Sequence, residues 1–194
     1  MQKPENYDAT QAGGEQREQP ALGGHKMVIK QVVETKSKAG RDMIVVLFDF
    51  DKSDIQPGFF GKIFKDDIRP EKKWPHVGTA YILTEDSDGK CSRKLKGFVT
   101  SFEKSNNCEA VWGDKFAAQF KNKKIGGIFG EVENEYNGRT FMRNELRWFC
   151  ELSKAESGSI PEPRMLAKET TAPKTDANGF MDIEEGANED IPWG

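Results

Sequence analysis

Basic and aromatic side chains occur together in several segments of the chain that are rich in turn-forming residues. Cations can follow the phosphates of a single-stranded nucleic acid, and flat rings can stack on its bases. The residues that we predict to contact such a ligand are Lys36, Lys38, Arg41, Phe59, Phe60, Lys62, Lys65, Trp74, Tyr81, Tyr136, Arg139, Arg143 and Arg147. Two other interpretations stay open: the lysines could form an ordinary solvated surface, and rings in the turn-rich segments could pack in a core.

No arrangement of residues in the sequence indicates catalysis. The glycine-rich stretch GGIFG, residues 126–130, matches neither of the common phosphate-binding loops. Carboxylate pairs exist, but no histidine or lysine recurs beside them in a pattern that assigns acid and base roles. The three cysteines and two histidines are widely spaced and give no metal-binding pattern. We therefore expect a protein that is not an enzyme and that needs no metal or cofactor.

The charge is distributed unevenly along the chain. Residues 22–152 carry 23 lysines and arginines against 19 acids, a net of +4, whereas residues 176–194 carry six acids and no base. A basic body with an acidic tail fits a protein whose body meets a polyanion and whose tail does not. Taken alone, the +4 is better explained as an unremarkable surface charge. No signal peptide or membrane-spanning run is apparent, and the odd cysteine count suits a reducing compartment, so we expect a cytoplasmic protein.

Hydrophobic patterning supplies the elements that would position these residues. The runs HKMVIKQVVE, RDMIVVLFDF and TAYILTE predict three strands, the first two forming a hairpin. The stretch between the second and third runs, rich in Pro and Gly, is predicted to be irregular. Leu95, Phe98, Val99 and Phe102 share one face of a predicted helix with Ser92 as its N-cap. A second short helix is predicted over GDKFAAQFK.

Two further strands, KIGGIFGEVENEY and RTFMRNELRWFCEL, complete the pattern around an Asn-Gly turn at 137–138. Five strands with a helix between the third and fourth form the arrangement of an OB-fold, a partly open Greek-key barrel whose ligand face is the surface of strands 2 and 3. An α+β sandwich stays open as an alternative. The rings predicted to lie in the core are Phe98, Phe102, Phe116, Phe120 and Trp148.

Composition divides the chain into three parts. Residues 1–21 contain almost no apolar side chains, and we predict that they are disordered. Residues 22–152 form the predicted OB-fold domain. Residues 153–194 are predicted to be a flexible linker and an acidic tail, because they hold several prolines, small residues and the acid run.

The tail ends in Glu189, Asp190, Ile191, Pro192 and Trp193, followed by Gly194. This tip resembles the C-terminal tip of bacterial single-stranded DNA-binding proteins, in which an acidic run ends in Asp-Ile-Pro and an aromatic residue. In this chain tryptophan replaces the usual phenylalanine. We predict that these residues bind a partner protein, with the ring entering an apolar pocket and the carboxylates meeting a basic rim.

Three segments of the body, GGHKMVIKQV, LKGFVTSFEKSN and GGIFGEVENEYNG, resemble phage-encoded OB-fold proteins that are found with replication and recombination genes. The resemblance implies a protein that coats single-stranded DNA in the host cytoplasm and recruits replication or recombination proteins through its tail. A homo-oligomer is compatible with it. The alternatives are a strand-annealing recombination protein, an interaction module without nucleic-acid binding, and an enzyme accessory to a nuclease or polymerase.

Overall fold

Five strands and two α-helices lie within the part of the chain that the structure describes. The computed structural model describes residues 2–3, 7 and 18–166. In chain order the elements are β1 (Gly23–Lys36), β2 (Asp42–Phe50), α1 (Phe59–Asp66), β3 (Thr79–Leu83), α2 (Arg93–Asn106), β4 (Lys124–Tyr136) and β5 (Arg139–Cys150). Short 3-10 helices cover His76–Gly78, Ala117–Phe120 and Leu152–Lys154. None of the described helices is long and apolar enough to cross a membrane.

The strands form one antiparallel sheet in the order β3-β2-β1-β4-β5. In β2 every second residue from Ile44 onwards is buried, which is the pattern of a strand with one face on a core. In β1 the register against β2 shifts between Ile29 and Gln31, so that Lys30 is an extra residue. This bulge lets Ile29 and Val32, three residues apart, both face the core.

Helix α2 lies between β3 and β4 in the chain, as predicted. Its buried side chains include Leu95, Phe98, Val99 and Phe102, the four that were expected to share one face. The Ser92 hydroxyl accepts a hydrogen bond from the Leu95 amide at 3.1 Å. The predicted N-cap is therefore confirmed. The order of the elements also confirms the predicted mainly β architecture with a helix between the third and fourth strands.

The sheet coils strongly around its core. Two strands separate β2 from β5, and three strand spacings would put them about 14 Å apart in a flat sheet. The rings of Phe48 on β2 and Phe149 on β5 nevertheless lie 6.0 Å apart, and Phe98 on α2 lies 5.0 Å from Phe149. The outer strands therefore curve towards each other over α2. Within residues 18–166, β3 and β5 remain unpaired edge strands, so the described sheet is not closed.

A second bulge decides which side chains of the last strand face the core. The register between β4 and β5 shifts so that Arg147 has no opposite residue. Leu146 and Phe149 consequently both pack against the core, although strict alternation puts them on opposite faces. The prediction that Trp148 is a core residue is wrong, because its side chain is 48% exposed. The other rings predicted to be core are all buried: Phe98, Phe102, Phe116 and Phe120.

Helix α1 occupies part of the segment that was predicted to be irregular. Its N-cap residue, Gly58, has no side chain to cap it. The carboxylate of Asp49 on β2 does so instead, accepting hydrogen bonds from the amides of Phe60 at 3.0 Å and Gly61 at 3.2 Å. A Cβ on Gly61 would come within 2.8 Å of the same carboxylate. The helix therefore begins where a distant strand supplies an acceptor.

Residues 153–166 lie against the sheet and do not form the predicted linker in that range. Ala155 is buried. At the edge of β4 the Arg164 amide donates to the Glu131 carbonyl at 2.9 Å, and the Arg164 carbonyl accepts from the Glu133 amide at 2.8 Å. This stretch therefore adds a short parallel bridge to the sheet.

Two glycines let this segment lie close to the outer surface of the sheet. A Cβ on Gly24 would overlap the carbonyl of Ala155, and one on Gly130 would overlap the ring of Pro161. The close approach of this segment explains why glycine stands at these two positions.

The N-terminal limit of the body also lies outside the predicted domain. The amide of Asn144 on β5 donates to Gln19 Oε1 at 2.9 Å, and its side chain donates to the Pro20 carbonyl at 2.7 Å. The described body therefore runs over residues 18–166, beyond the predicted 22–152. The disorder predicted for the rest of both termini lies outside the described residues.

Candidate nucleic-acid interface

One part of the outer surface of the sheet carries apolar side chains that are half-buried or exposed. The buried positions of β1, β2 and β3 alternate with residues that face outward. We call these outward residues the open face: Gln31, Val33, Thr35, Met43, Val45, Leu47, Thr79, Tyr81 and Leu83. Across its centre Val33, Val45 and Tyr81 are direct cross-strand partners, and the exposed fractions of Val33 and Tyr81 are 40% and 51%.

Tyr81 is the exposed ring of this surface. It lies opposite Val45 on the neighbouring strand, and its ring centroid is 5.9 Å from that of His76 with the planes tilted by 33°. A half-exposed aromatic ring on a strand, flanked by smaller apolar side chains, is a suitable platform for a flat ligand such as a base. The placement agrees with the predicted role of Tyr81 and leaves that role to experiment.

The β1–β2 loop places cations at one end of the open face. Its backbone is fixed by Ser37, whose hydroxyl accepts from the Arg41 amide at 3.1 Å and whose carbonyl accepts from the Gly40 amide at 2.8 Å. Lys36 pairs with Asp42 at 2.7 Å across the mouth of the loop. Within residues 18–166, Lys38 and Arg41 have no ion-pair partner. These two side chains are therefore free to meet a phosphate.

A second group of cations, absent from the sequence-based prediction, lies at the β1 edge. Ile29 is hydrogen-bonded through its amide to the Lys123 carbonyl at 2.9 Å and through its carbonyl to the Asn122 amide at 2.8 Å. These bonds place Lys123 beside Lys30, the bulged residue, whose ammonium lies 3.9 Å from Asp49. The run Lys121-Asn122-Lys123-Lys124 was the available sequence signal, since three of its four residues are basic.

The rings of Phe59 and Phe60 are not available to a ligand, which corrects their predicted role. Both are buried at the start of α1, and Phe60 packs edge-on against Phe48 with ring centroids 5.6 Å apart. Lys62 and Lys65, on the same helix, are exposed. Only the basic residues of this helix could therefore contact a nucleic acid directly.

Trp74 is half-buried and tied to the body. Its indole nitrogen donates to the Gly78 carbonyl at 3.0 Å, and its ring lies 5.5 Å from that of Phe64. Arg69, in the same loop, donates three hydrogen bonds to Asp67, and these hold the pKa of that carboxyl well below its usual range. Stacking by Trp74 therefore stays a prediction, and its replacement would also remove packing.

The β4–β5 hairpin carries the remaining predicted residues away from the open face. Gly23 pairs with Phe129, and β4 continues past that point to the turn at 137–138. The β1–β2 loop lies at the opposite end of β1. The sheet register therefore sends Tyr136 and Arg139 in the direction opposite to the basic loop.

Two arginines on β5 have partners within the body. The guanidinium of Arg147 donates to the carbonyls of Glu131 at 3.3 Å and Glu162 at 2.9 Å. Arg147 therefore helps to hold residues 153–166 against the sheet, and its contact with DNA stays a prediction. Arg143 lies over the ring of Phe141 at 5.3 Å, an arrangement that orients the cation without neutralising it.

Within residues 18–166, the structure shows no group of three or more His, Cys, Asp or Glu side chains that could hold a metal ion. The predicted tail residues Glu189, Asp190, Ile191, Pro192 and Trp193 lie outside the described residues.

No family model matches the chain, and a search among curated proteins finds no match. The geometry of the open face therefore carries the functional argument.

Proposed function

We propose that this protein binds single-stranded DNA on the open face and is not an enzyme. The observation that carries the proposal is the apolar cross-strand row Val33–Val45–Tyr81, in which Val33 and Tyr81 are exposed and Val45 is half-buried. The row lies beside the loop that bears Lys38 and Arg41. Apolar side chains that lie together on one surface suit a binding site. Cations at the rim and a ring at the centre suit a strand of phosphates and unpaired bases.

The coiled sheet supports a finer proposal about the fold. A five-stranded antiparallel sheet that curves over a helix placed after its third strand is consistent with a partly open OB-type barrel. In that architecture the outer surface of strands 2 and 3 is the usual ligand surface. The open face occupies the same place in this chain.

Salt dependence tests the electrostatic part of the proposal. Each phosphate contact on a single strand contributes about −0.7 to the slope of log K against log salt. If Lys38 and Arg41 each contact a phosphate, changing both to glutamine should make the slope shallower by about 1.4. Changing Lys94 and Lys104 on α2 to glutamine removes the same charge and should leave the slope nearly unchanged. Equal effects of the two double variants would show that Lys38 and Arg41 do not contact phosphates.

Alanine substitution tests the stacking part. Tyr81→Ala should weaken binding of labelled oligo-dT by about 1–3 kcal/mol, measured by fluorescence anisotropy, with little change in melting temperature. Trp148→Ala is the control, because it removes an exposed aromatic ring that is not among the predicted DNA contacts. Equal affinity of the parent protein for oligo-dT and for duplex of the same length would count against single-strand binding altogether.

The cellular role extends this proposal. We expect the protein to coat and protect single strands during phage replication or recombination, and to recruit partner proteins through the tail at 189–193. An interaction module without nucleic-acid binding is the second candidate, and the apolar character of Met43, Val45 and Leu83 on the open face favours it. The two candidates predict different effects of removing the charges of Lys38 and Arg41. The affinity for a purely apolar partner should not change, whereas the affinity for single-stranded DNA should fall.

A further inference from the structure

A column of aromatic rings runs from the core to the surface between α2 and β4. Phe102 on α2 packs edge-on against Phe120 with ring centroids 4.5 Å apart, and Phe120 packs edge-on against Phe116 at 5.0 Å. Trp112 then stacks on Phe116 at 4.7 Å, with the planes only 16° from parallel. Phe102, Phe116 and Phe120 are buried, whereas Trp112 is 63% exposed. One face of the indole is therefore supported by the core, and much of the ring faces solvent.

The backbone beside this indole is held on both sides. The Gln119 side chain accepts from the Val111 amide at 2.8 Å and donates to the Val111 carbonyl at 2.8 Å, which imitates a pair of strand hydrogen bonds. Glu103 on α2 accepts from the amide of Ala110 at 3.0 Å. Trp112 is therefore presented in a fixed position, and a ligand that stacks on it does not have to order the loop first.

The chain leads directly from this column to the basic edge of the open face. The 3-10 helix Ala117–Phe120 packs against β1, and the next residues pair with Ile29 and place Lys123 beside Lys30. The described contacts connect Trp112, through Phe116 and the 3-10 helix, to β1 and to the residues that bond to Ile29. The path inferred for a single strand runs from Tyr81 over β2 and β1 to these lysines and on to the indole.

We propose that Trp112 is a second stacking platform, which takes one base of a single strand whose other bases lie on the open face. The proposal rests on the proposed function, because it assumes that single-stranded DNA is the ligand. A base suits the site better than an apolar protein pocket for two reasons. The indole continues a parallel ring stack that a further flat ring would extend, and Lys121 and Lys123 follow the column where phosphates would lie.

Anisotropy titrations of the full chain with oligo-dT of increasing length test this assignment. Trp112→Ala should bind long oligonucleotides roughly 5- to 150-fold more weakly than the parent, the factor that matches about 1–3 kcal/mol per stacked base. The penalty should vanish for oligonucleotides too short to reach beyond the open face. Trp112→Phe should recover most of the affinity, since a smaller ring can still stack. Trp148→Ala, which removes another exposed indole, should match the parent at every length.

The outcomes separate this proposal from the function on which it rests. If the parent binds oligo-dT and Trp112→Ala binds every length equally well, the platform is refuted while single-strand binding stands. The same result would be expected if the indole docked on a partner protein instead. A penalty that is equal for short and long oligonucleotides also refutes the platform, because it would report a general disturbance of the body. If the parent binds no oligo-dT at low salt, the proposed function itself fails.

Discussion

Removing the carboxylate of Asp54 should destabilise the body strongly, because it holds the N-terminal segment to the core. The side chains of Asp54 and His25 are both buried. The Asp54 carboxylate lies 2.9 Å from Nδ1 of His25 and accepts from the amides of Lys26 at 2.8 Å and Gln56 at 3.0 Å. The other ring nitrogen of His25 lies 2.9 Å from the Ala21 carbonyl. Asp54→Ala therefore leaves a ring nitrogen and two amides without their acceptor.

The expected magnitude follows from the burial of the pair. Removing one partner of a buried pair costs about 3–5 kcal/mol. In a domain of this size each kcal/mol lowers the melting temperature by roughly 2–4 °C. The loss of the carboxylate leaves the buried Nδ1 of His25 without its hydrogen-bond partner, and such an unsatisfied polar group is costly. We expect Asp54→Ala to melt on the order of 10 °C below the parent.

Thermal unfolding at neutral pH, followed by circular dichroism, measures this difference. Asp42→Ala is the matched control, because it removes an aspartate whose ion pair with Lys36 is largely exposed. Such a pair is worth less than about 1 kcal/mol. Equal shifts for Asp54→Ala and Asp42→Ala would refute the structural role assigned to the buried pair.

The pH dependence of the same variant gives a second test. Burial alone would raise the pKa of Asp54, but hydrogen bonds from His25, Gln56 and Lys26 outweigh it, and the pKa is lowered. A carboxyl with a lowered pKa stabilises the fold above its unfolded value of about 3.9 and loses this contribution as the pH falls through the folded value. The difference in unfolding free energy between parent and Asp54→Ala should therefore be present at pH 5 and shrink below about pH 4. Urea titrations at several pH values measure it, and a difference that grows in acid would contradict the sign.

Three further predictions concern packing and the tail. Gly24→Ala should lower the melting temperature and speed proteolysis of residues 153–166. Gly97→Ala has open space around it and should raise the free energy of unfolding by as much as about 1 kcal/mol. Equal melting temperatures of the two variants would contradict this. In urea unfolding, Phe120→Ala should lower the free energy of unfolding by about 3–5 kcal/mol, and Trp148→Ala should lower it by clearly less. A similar loss for both variants would mean that the indole of Trp148 packs in the core. Deleting residues 182–194 should leave the melting temperature unchanged and the oligo-dT affinity equal or slightly higher, since five carboxylates are removed; a weaker affinity would show that the tail helps to bind DNA.

The elements that local patterns determine were predicted correctly from the sequence. The four apolar residues of α2 repeat with helical spacing, and Ser92 supplies a local cap. The Asn137-Gly138 turn places both residues at positive φ, as a two-residue hairpin requires. In each case the residues that decide the structure are neighbours in the chain. The sequence pattern is therefore sufficient.

The errors arose where distant residues decide the structure. Helix α1 begins because Asp49 on another strand accepts from its amides, and nothing near Gly58 signals this cap. Trp148 is exposed because one extra residue in β5 inverts the alternation from that point onward. Phe59 and Phe60 lie in a segment rich in turns, yet they are buried against β2. None of these contacts has a periodic signature.

For the candidate site, the sequence identified the kinds of residue better than their positions. Tyr81 and the basic β1–β2 loop lie at the open face, as the OB-fold interpretation anticipated. Arg147, by contrast, is committed to backbone carbonyls of the body. Lys123 was missed because its place beside Lys30 depends on backbone bonds to Ile29. Composition can suggest a polyanion ligand, but the register decides which cations share one surface.

The outer surface of the sheet has two regions that differ in the size of their side chains. On β1 and β4, Gly24 and Gly130 remove the Cβ atoms that would hold another chain segment away, and residues 153–166 lie on the sheet there. On β2 and β3 the outward positions instead carry Met43, Val45 and Tyr81, which stay half-buried or exposed. Each Å² of apolar surface left in water forgoes about 25 cal/mol, so an apolar face without a cover is retained at a cost to stability. Binding of a ligand by its flat apolar groups recovers that cost, and this favours a functional surface over a passive one at the open face.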